Sequence, residues 1–374
     1  MKVDWLVVGA GFTGATIAER LASRGERVLV IDRRDHIAGN AHDRYNERNH
    51  LVHQYGPHIF HTNSEKVWTY LSQFTSWRPY EHRVLGRVEG QLVPIPFNLA
   101  SLATLLPSAK ATAIERELLA TYGMDTKVPI LSLRQTTSPD LQWLADYIYE
   151  HVFLGYTTKM WGLTPEELDP SVTGRVPVHI SHDDRYFQDR YQAMPEDGYT
   201  VLFQKMLSHA NIEVQLGTDL QDVEGQVAYS GLVYTGSLDA LFDHELGPLA
   251  YRSLDFRYES HDEDLRQPVG TVNYPGPDGP TRSTEQKHLT GQQVPGTTLV
   301  WEYPKAHRPG ESEAYYPIPQ QQNRALYEAY LRLAETRRPN MVLAGRLADY
   351  KYYNMDQAVG RALALVEKDA RLQR

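Results

Sequence analysis

Gly9, Gly11 and Gly14 stand in the spacing Gly-x-Gly-x-x-Gly, and Asp32 follows downstream. Residues of these types capture a dinucleotide. The first glycine permits a tight turn, the second lets backbone amides approach a pyrophosphate, and the third allows close helix packing. A carboxylate about 20 residues later accepts hydrogen bonds from a ribose diol, while the phosphate sits on the N-terminus of the helix that the glycines open. His58 and His61 form a second group able to do chemistry, since residues three apart share a helical face and histidine pairs can bind metal. No cysteine and no His-Glu-x-x-His string supplies further ligands, so no metal is expected. Lack of cysteine also removes disulfides, thiolate nucleophiles and redox dithiols, and with them the dithiol flavin reductases.

The elements that must position these residues can be read around them. Lys2 to Val8 is a buried-strand pattern running into the glycines, which include Phe12 and Thr13 in their turn. Ala15, Ala18, Leu21 and Ala22 follow at helical spacing, Gly25 stops the helix, and Arg27 to Asp32 forms a second strand. This is a βαβ unit. The stretch Arg33 to Ala41, with Gly39 and Asn40, resembles the extension by which flavoproteins of the glutathione-reductase superfamily embrace the pyrophosphate, and favours FAD over NAD. Near the end, Met341 to Ala344 reads as a strand leading into Gly345-Arg346, followed by a helix from Asp356 to Glu367, a unit that commonly closes a flavin site. Ile212 to Leu216 and Leu232 to Gly236 supply further strands of the same domain.

The expected architecture is mixed α/β, with a discontinuous Rossmann-like FAD domain, an inserted helical domain and an antiparallel β-sheet domain. Residues 1–80, 196–247 and 319–374 are assigned to the FAD domain. Residues 99–175, rich in helix formers and punctuated by Pro107, Pro129 and Pro139, form the helical domain. Its proline- and glycine-broken stretch 164–177 reads as a long loop able to close over a ligand. Alternating patterns assign 81–98, 176–195 and 248–318 to the sheet, with the substrate in the cleft between.

A chain of 374 residues exceeds what one hydrophobic core organises, in keeping with several domains. Its apolar runs, such as Val28 to Ile31, are strand-sized and far short of the roughly 20 residues that span a bilayer. No membrane partner is expected. The N-terminus enters Val3 to Val8 without a charged region, longer apolar core and cleavage site, which predicts a cytoplasmic protein. A formal net charge of −9 argues against nucleic acid as a partner, although a local basic pocket can still hold one anionic ligand.

The string His53 to Thr62, HQYGPHIFHT, together with Gly39-Asn40-Ala41, Pro96-Phe97-Asn98, Gly155 to Trp161, Asn273-Tyr274, Thr281-Arg282, Tyr315 to Ile318 and Gly345-Arg346-Leu347, resembles the bacterial UDP-galactopyranose mutase family. The resemblance runs along nearly the whole chain. Two departures are Ala38, where that family more often has a second glycine beside Gly39, and the insertion-like Glu47-Arg48-Asn49, expected to be a surface hairpin.

The resemblance implies reversible ring contraction of UDP-galactopyranose to UDP-galactofuranose through an adduct between flavin N5 and the sugar, requiring reduced FAD with no net redox. It also implies a homodimer and an external reductant such as NAD(P)H. A departing diphosphate calls for paired guanidinium forks, and Arg175 and Arg282 match the family's pair. With His61 they are the candidate catalytic residues. Candidate substrate contacts by family match are Phe153 (stacking on uracil), Tyr156, Thr157, Trp161, Tyr186, Tyr315, Tyr350, Asn98, Arg252 and Asn273, beside Arg175 and Arg282. Candidate flavin contacts are Gly9, Gly11, Phe12, Thr13, Gly14, Asp32, Arg33, Gly39, Asn40, His58, Ile59, Gly345, Arg346, Tyr350 and Met355. Taken singly, a loop arginine is more often a surface ion pair, a tyrosine is more often packing, and an asparagine is often a turn or cap. Two rival functions share the glycine motif: an FAD-dependent oxidase or desaturase, and a non-catalytic nucleotide-sugar-binding flavoprotein.

Overall fold

The computed structural model describes residues 2–169, 174, 176–318 and 320–373. Its first strand, β1 (Trp5–Val8), and second strand, β2 (Val28–Asp32), are buried along their whole length, as continuous apolar runs in a parallel sheet covered on both faces must be. Helix α1 (Phe12–Ala22) connects them. The sheet has five parallel strands in the order Ile212–Leu216, β2, β1, Gly231–Tyr234, Met341–Leu343. On one face α1 packs against the helix Met355–Lys368, around Ile17, Leu21, Val30 and Val359; the other face buries Leu6, Leu29 and Ile31 with Tyr330 of the helix Gln321–Arg337. This is the expected discontinuous Rossmann-like domain.

Leu99–Leu105, Ser108–Tyr122 and Pro139–Ile148 form the helical part, whose core includes Leu102, Ile114, Leu118, Leu141 and Leu144. A second layer is a seven-stranded sheet in the order Tyr316–Pro317, Tyr251–His261, Thr297–Ala306, Arg282–Glu285, Thr271–Asn273, Val84–Val88, Gln91–Ile95. Two features differ from the sequence reading. The sheet is mixed, because Thr271–Asn273 pairs in parallel with Val84–Val88. Residues 176–195 do not join it as strands: Val178–Ile180 pairs with Thr126–Val128 in the helical part, and Tyr191–Pro195 lies between Phe60–Thr62 and Trp77–Pro79 in a three-stranded sheet. Alternation marks a strand without naming its partner.

Glu47, Arg48 and Asn49 form the tip of the hairpin joining Asp43–Tyr45 to Leu51–His53, where Asn46 Oδ1 accepts from the amides of Arg48 and His50. Ala38 adopts φ +75°, a left-handed backbone in which glycine carries no Cβ penalty. Among the described residues no helix is long and apolar enough to cross a membrane.

Candidate functional site

The floor of the site is one row of the seven-stranded sheet. Asn273 lies directly opposite Arg282, and Arg282 directly opposite Glu302, so the three side chains share a face across three strands. Arg282 Nε donates to Glu302 Oε1 at 2.7 Å. Glu302 is 1% exposed, whereas Arg282 keeps 27% of its side chain open, on the side of a cavity of about 570 Å³. With Nε occupied, the two terminal nitrogens of the guanidinium have no hydrogen-bond partner among the described residues.

The wall is helical. Tyr149–Leu154 forms a wide π-turn that passes into the α-helix Gly155–Trp161, and widened turns of this kind re-aim the side chains that follow. Phe153, Tyr156, Thr157, Met160 and Trp161 fall at i, i+3, i+4, i+7 and i+8, hence on one face, and all line the cavity. Lys159, on another face, donates to the carbonyls of Tyr274 and Pro280 at 2.7 Å each and so ties the helix to the loop after Asn273.

The roof joins the histidine loop to the C-terminal part of the Rossmann domain. His58, Ile59 and His61 line the cavity together with Arg346, Tyr352, Asn354 and Met355. Asn354 and Gln357 cap the helix Met355–Lys368 reciprocally, so its N-terminus, with its partial positive charge, opens at the site. Arg346 lies over the rings of Tyr316 and Tyr352 at 5.5 and 5.7 Å.

Next to the roof lies the glycine cradle. Gly9 has φ +107°, and a Cβ on Gly14 would stand 1.9 Å from the Gly9 carbonyl oxygen, so helix α1 meets the turn at backbone contact. A Cβ on Gly11 would lie 3.8 Å from the Gly39 Cα, in the gap between the first turn and the extension after β2. Asp32 Oδ2 accepts from the Ala10 amide at 2.8 Å and Oδ1 from the Arg34 amide at 2.9 Å, which ties the two together. Gly345, also at φ +107°, abuts Thr13. Bare backbone at Gly11 and Gly39, with Arg34 bonded to Asn40 and lying over Tyr55 of the cavity lining, fits a flavin dinucleotide.

Burial alone would depress the Arg282 pKa, yet Glu302 and the phenols of Tyr156 and Tyr316 hold it well above the ordinary value. Burial also raises Tyr156 and Tyr316 far enough to keep both as neutral hydroxyl donors. His58 is pushed down to about 3 by burial and then by His53, and His82 to about 3 by burial and then by Arg282 and His61. Both are neutral near pH 7. Positive charge in the cavity therefore comes from arginine, with the Glu302 carboxylate behind Arg282 and the neutral phenols of Tyr156 and Tyr316 around it.

Neutral burial has a consequence for stability. His53 and His82 are 2% and 4% exposed, and their pKa values fall from 6.5 to about 4 and about 3. Between those values and 6.5 the unfolded chain binds protons that the folded chain refuses. Their stabilising effect is thus complete above 6.5 and lost as pH falls toward the folded values, each with a slope of up to about 1.4 kcal/mol per pH unit. Urea midpoints should decline steadily below that pH, and less steeply in His82→Gln. A midpoint flat down to about pH 4.5 contradicts the neutral burial.

Of the residues singled out from sequence, the structure brings His58, Ile59, His61, Phe153, Tyr156, Thr157, Trp161, Tyr186, Asn273, Arg282, Arg346 and Met355 around one cavity. Arg175 lies outside the described residues. Five others are placed differently. Asn98 caps the helix Leu99–Leu105, accepting from the Ser101 amide at 3.0 Å. Arg252 donates to the Met160 and Lys159 carbonyls at the end of the 155–161 helix. Tyr350 donates to the Ala250 carbonyl at 2.6 Å. Tyr315 is buried beside Tyr55 and Phe256, and the adjacent Tyr316 takes the cavity side. Arg33 is exposed on Glu313, and Arg34 is the inner arginine, bonded to Asn40 and lying 4.3 Å over the Tyr55 ring. Glu302, His82, Phe187, Tyr316 and Tyr352 line the cavity without having been singled out. Glu302 could have been found from the alternation of Thr297 to Tyr303; the others carry no local signal.

Residues 151–352 match the family described as UDP-galactopyranose mutase, and residues 7–74 one described as NAD(P)-binding Rossmann-like domain. Over 367 residues the chain is 37% identical to a probable UDP-galactopyranose mutase of Klebsiella pneumoniae, covering 97% of this chain and 94% of that protein. It is 35% identical over 367 residues to a dTDP-fucopyranose mutase of Escherichia coli, covering 96% of each. It is 33% identical over 384 residues to a UDP-galactopyranose mutase of Mycoplasma pneumoniae, covering 98% of this chain and 96% of the other. A crystal structure of reduced UDP-galactopyranose mutase superposes with a TM-score of 0.71 at 16% identity, covering 98% and 95% of the two chains. A putrescine oxidase variant superposes with 0.59 at 12% identity over 100% of both. These two likenesses carry the fold alone, which mutase and oxidase share.

Proposed function

We propose that this chain, which belongs to the UDP-galactopyranose mutase family, interconverts UDP-galactopyranose and UDP-galactofuranose with reduced FAD as its cofactor. The observation that carries the reading is the cavity itself, where a charged guanidinium backed by a buried carboxylate stands among neutral phenols beside a glycine cradle. When bound in that cradle, reduced flavin would supply the nucleophile for the anomeric carbon.

The chain's own residues bind, orient and exclude water. Arg282, relieved of part of its charge by Glu302, grips a diphosphate through its terminal nitrogens, while Tyr156, Tyr186 and Tyr316 donate without adding charge that would trap the product. Phe153 and Trp161 offer flat faces to the base and the sugar. Gly9, Gly11, Phe12, Thr13, Gly14, Asp32, Gly39, Asn40 and Gly345 would cradle the flavin's diphosphate end, and His58, Ile59, Arg346 and Met355 would meet its ring end. Arg175, by its match to the family's pair, is the second cation of the diphosphate site. An external reductant such as NAD(P)H, a homodimer and a cytoplasmic location belong to the same reading.

The test is anaerobic. Dithionite-reduced protein incubated with UDP-galactofuranose should yield UDP-galactopyranose by chromatography, and should turn over a dTDP-linked fucose more slowly. No conversion of the UDP sugar rejects the proposal. Flavin reduction driven by an added sugar or amine in the oxidised protein supports the oxidase reading instead.

A further inference from the structure

His61 stands on the short strand Phe60–Thr62, opposite Gln192 of Tyr191–Pro195. Its Nδ1 lies 2.8 Å from Asp189 Oδ2, and Asp189 Oδ1 accepts from Asn63 Nδ2 at 2.7 Å. Phe187 stacks on the imidazole with centroids 3.6 Å apart and planes at 13°. Edge and face of the ring are both fixed, by residues that no motif reading selected. An ionised carboxylate only accepts, so Nδ1 carries the proton of that bond, and in the neutral ring it is Nε2 that keeps the lone pair. His61 lines the cavity, and Nε2 has no hydrogen-bond partner among the described residues. The His61 bond outweighs burial in holding the Asp189 carboxyl below its ordinary range.

Ring contraction, on the mutase reading that this inference rests on, moves one proton. The departing ring oxygen leaves the anomeric carbon with the bonding pair and takes a proton. The hydroxyl that replaces it forms the new bond with a lone pair and gives its proton up. One carrier that donates once and accepts once balances both steps, with no net proton or electron exchanged with solvent.

We infer that Asp189 is a positioning residue which, with Asn63 and Phe187 behind it, aims His61 Nε2 into the cavity as the carrier of that proton. The charged and titratable neighbours agree with this assignment. His82, stacked beside Phe187, is held neutral, Arg282 is charged, Lys127 acts on Asp189 from the Thr126–Val128 strand, and Asp356 is bound to Thr62. Asp189 is therefore the anion in hydrogen-bond contact with the imidazole, placed to balance its charge when it is doubly protonated. An aligned carboxylate of this kind fixes the tautomer of a proton-transferring histidine, and its amide replacement leaves the geometry but inverts the tautomer.

In the reduced holoenzyme, Asp189→Asn should lower kcat about 10²- to 10⁴-fold. KM for UDP-galactofuranose should stay within about twofold, since ground-state binding is untouched. Asp189→Glu should recover at least about tenfold of the lost kcat, which a purely structural role does not predict. A readout independent of turnover is the low-field NMR signal of the His61 Nδ1 proton in the oxidised holoenzyme, expected in wild type and Asp189→Glu and missing in Asp189→Asn and His61→Gln. A kcat within about threefold of wild type in Asp189→Asn overturns the inference. If that variant fails to hold flavin, Asn63→Ala carries the test, with kcat about tenfold lower at unchanged KM expected and unchanged kcat overturning it. Wild-type protein inert toward UDP-galactofuranose is a distinct failure, that of the mutase reading, and takes this inference with it.

Discussion

Arg282→Ala is expected to reduce kcat/KM by about 10³-fold while the flavin absorbance spectrum of the holoenzyme stays unchanged. The guanidinium is presented to the cavity by the seven-stranded sheet, and on the proposed function it binds the diphosphate that gathers charge as it leaves. Among the described residues no hydrogen bond joins Arg282 to Gly9, Gly11, Gly14, Asp32, Gly39 or Gly345, so the flavin's diphosphate end is expected to bind without it. The variant should also lose stability, because Glu302, 1% exposed, would be left as an uncompensated buried carboxylate. Breaking a buried pair from one side costs about 3–5 kcal/mol, and the open side of Arg282 places the expected loss at the low end of that range. Stability and turnover can be separated. Arg282→Met combined with Glu302→Gln removes the stranded charge, so urea denaturation should return toward wild type while turnover stays lost. Turnover within about tenfold of wild type in the double variant removes Arg282 from the site.

Gly14→Ala and Gly11→Ala should fail in opposite ways, although both replace a glycine of the same motif. At Gly14 the added methyl would stand 1.9 Å from the Gly9 carbonyl oxygen, against backbone that cannot yield without moving α1 off the sheet. The expected result is an unstable or insoluble chain with no bound flavin. At Gly11 the nearest atom is 3.8 Å away, so the empty fold tolerates alanine and apo stability should change by less than about 1 kcal/mol. The same methyl occupies the surface that a pyrophosphate must approach, and flavin affinity should fall by about two orders of magnitude or more. Fluorescence titration of flavin into apoprotein, beside urea unfolding of the same samples, reads both quantities. Equal flavin affinity in Gly11→Ala and wild type means that the pyrophosphate lies elsewhere.

The Rossmann-like part was legible because its signals are local. Gly9 to Gly14 impose a backbone geometry within six residues, and Val28 to Asp32 is apolar enough to be buried on both faces wherever its partners come from. Phe153, Tyr156, Thr157 and Trp161 came together for a similar reason, since helical periodicity by itself puts them on one face. Parity was harder to read. Tyr315 and Tyr316 are neighbours in an extended segment, where successive side chains point to opposite sides, and motif matching selected the one that the structure turns inward to Phe256. Asn98, Arg252 and Tyr350 are spent on a helix cap, two helix-end carbonyls and the carbonyl just before a strand, backbone groups whose needs depend on where distant segments end.

Sequence alone therefore determined the dinucleotide cradle, the family and the helix face that lines the cavity, because each depends on contacts within a few turns or on strings long enough to be distinctive. Tertiary structure decided what those groups are paired with. Glu302 meets Arg282 across strand register, and Asp189 meets His61 from 128 residues away in the chain. Both pairings arise from how separately folded segments align, and a hydrogen bond of 2.7–2.8 Å is decided by that alignment rather than by any spacing along the sequence.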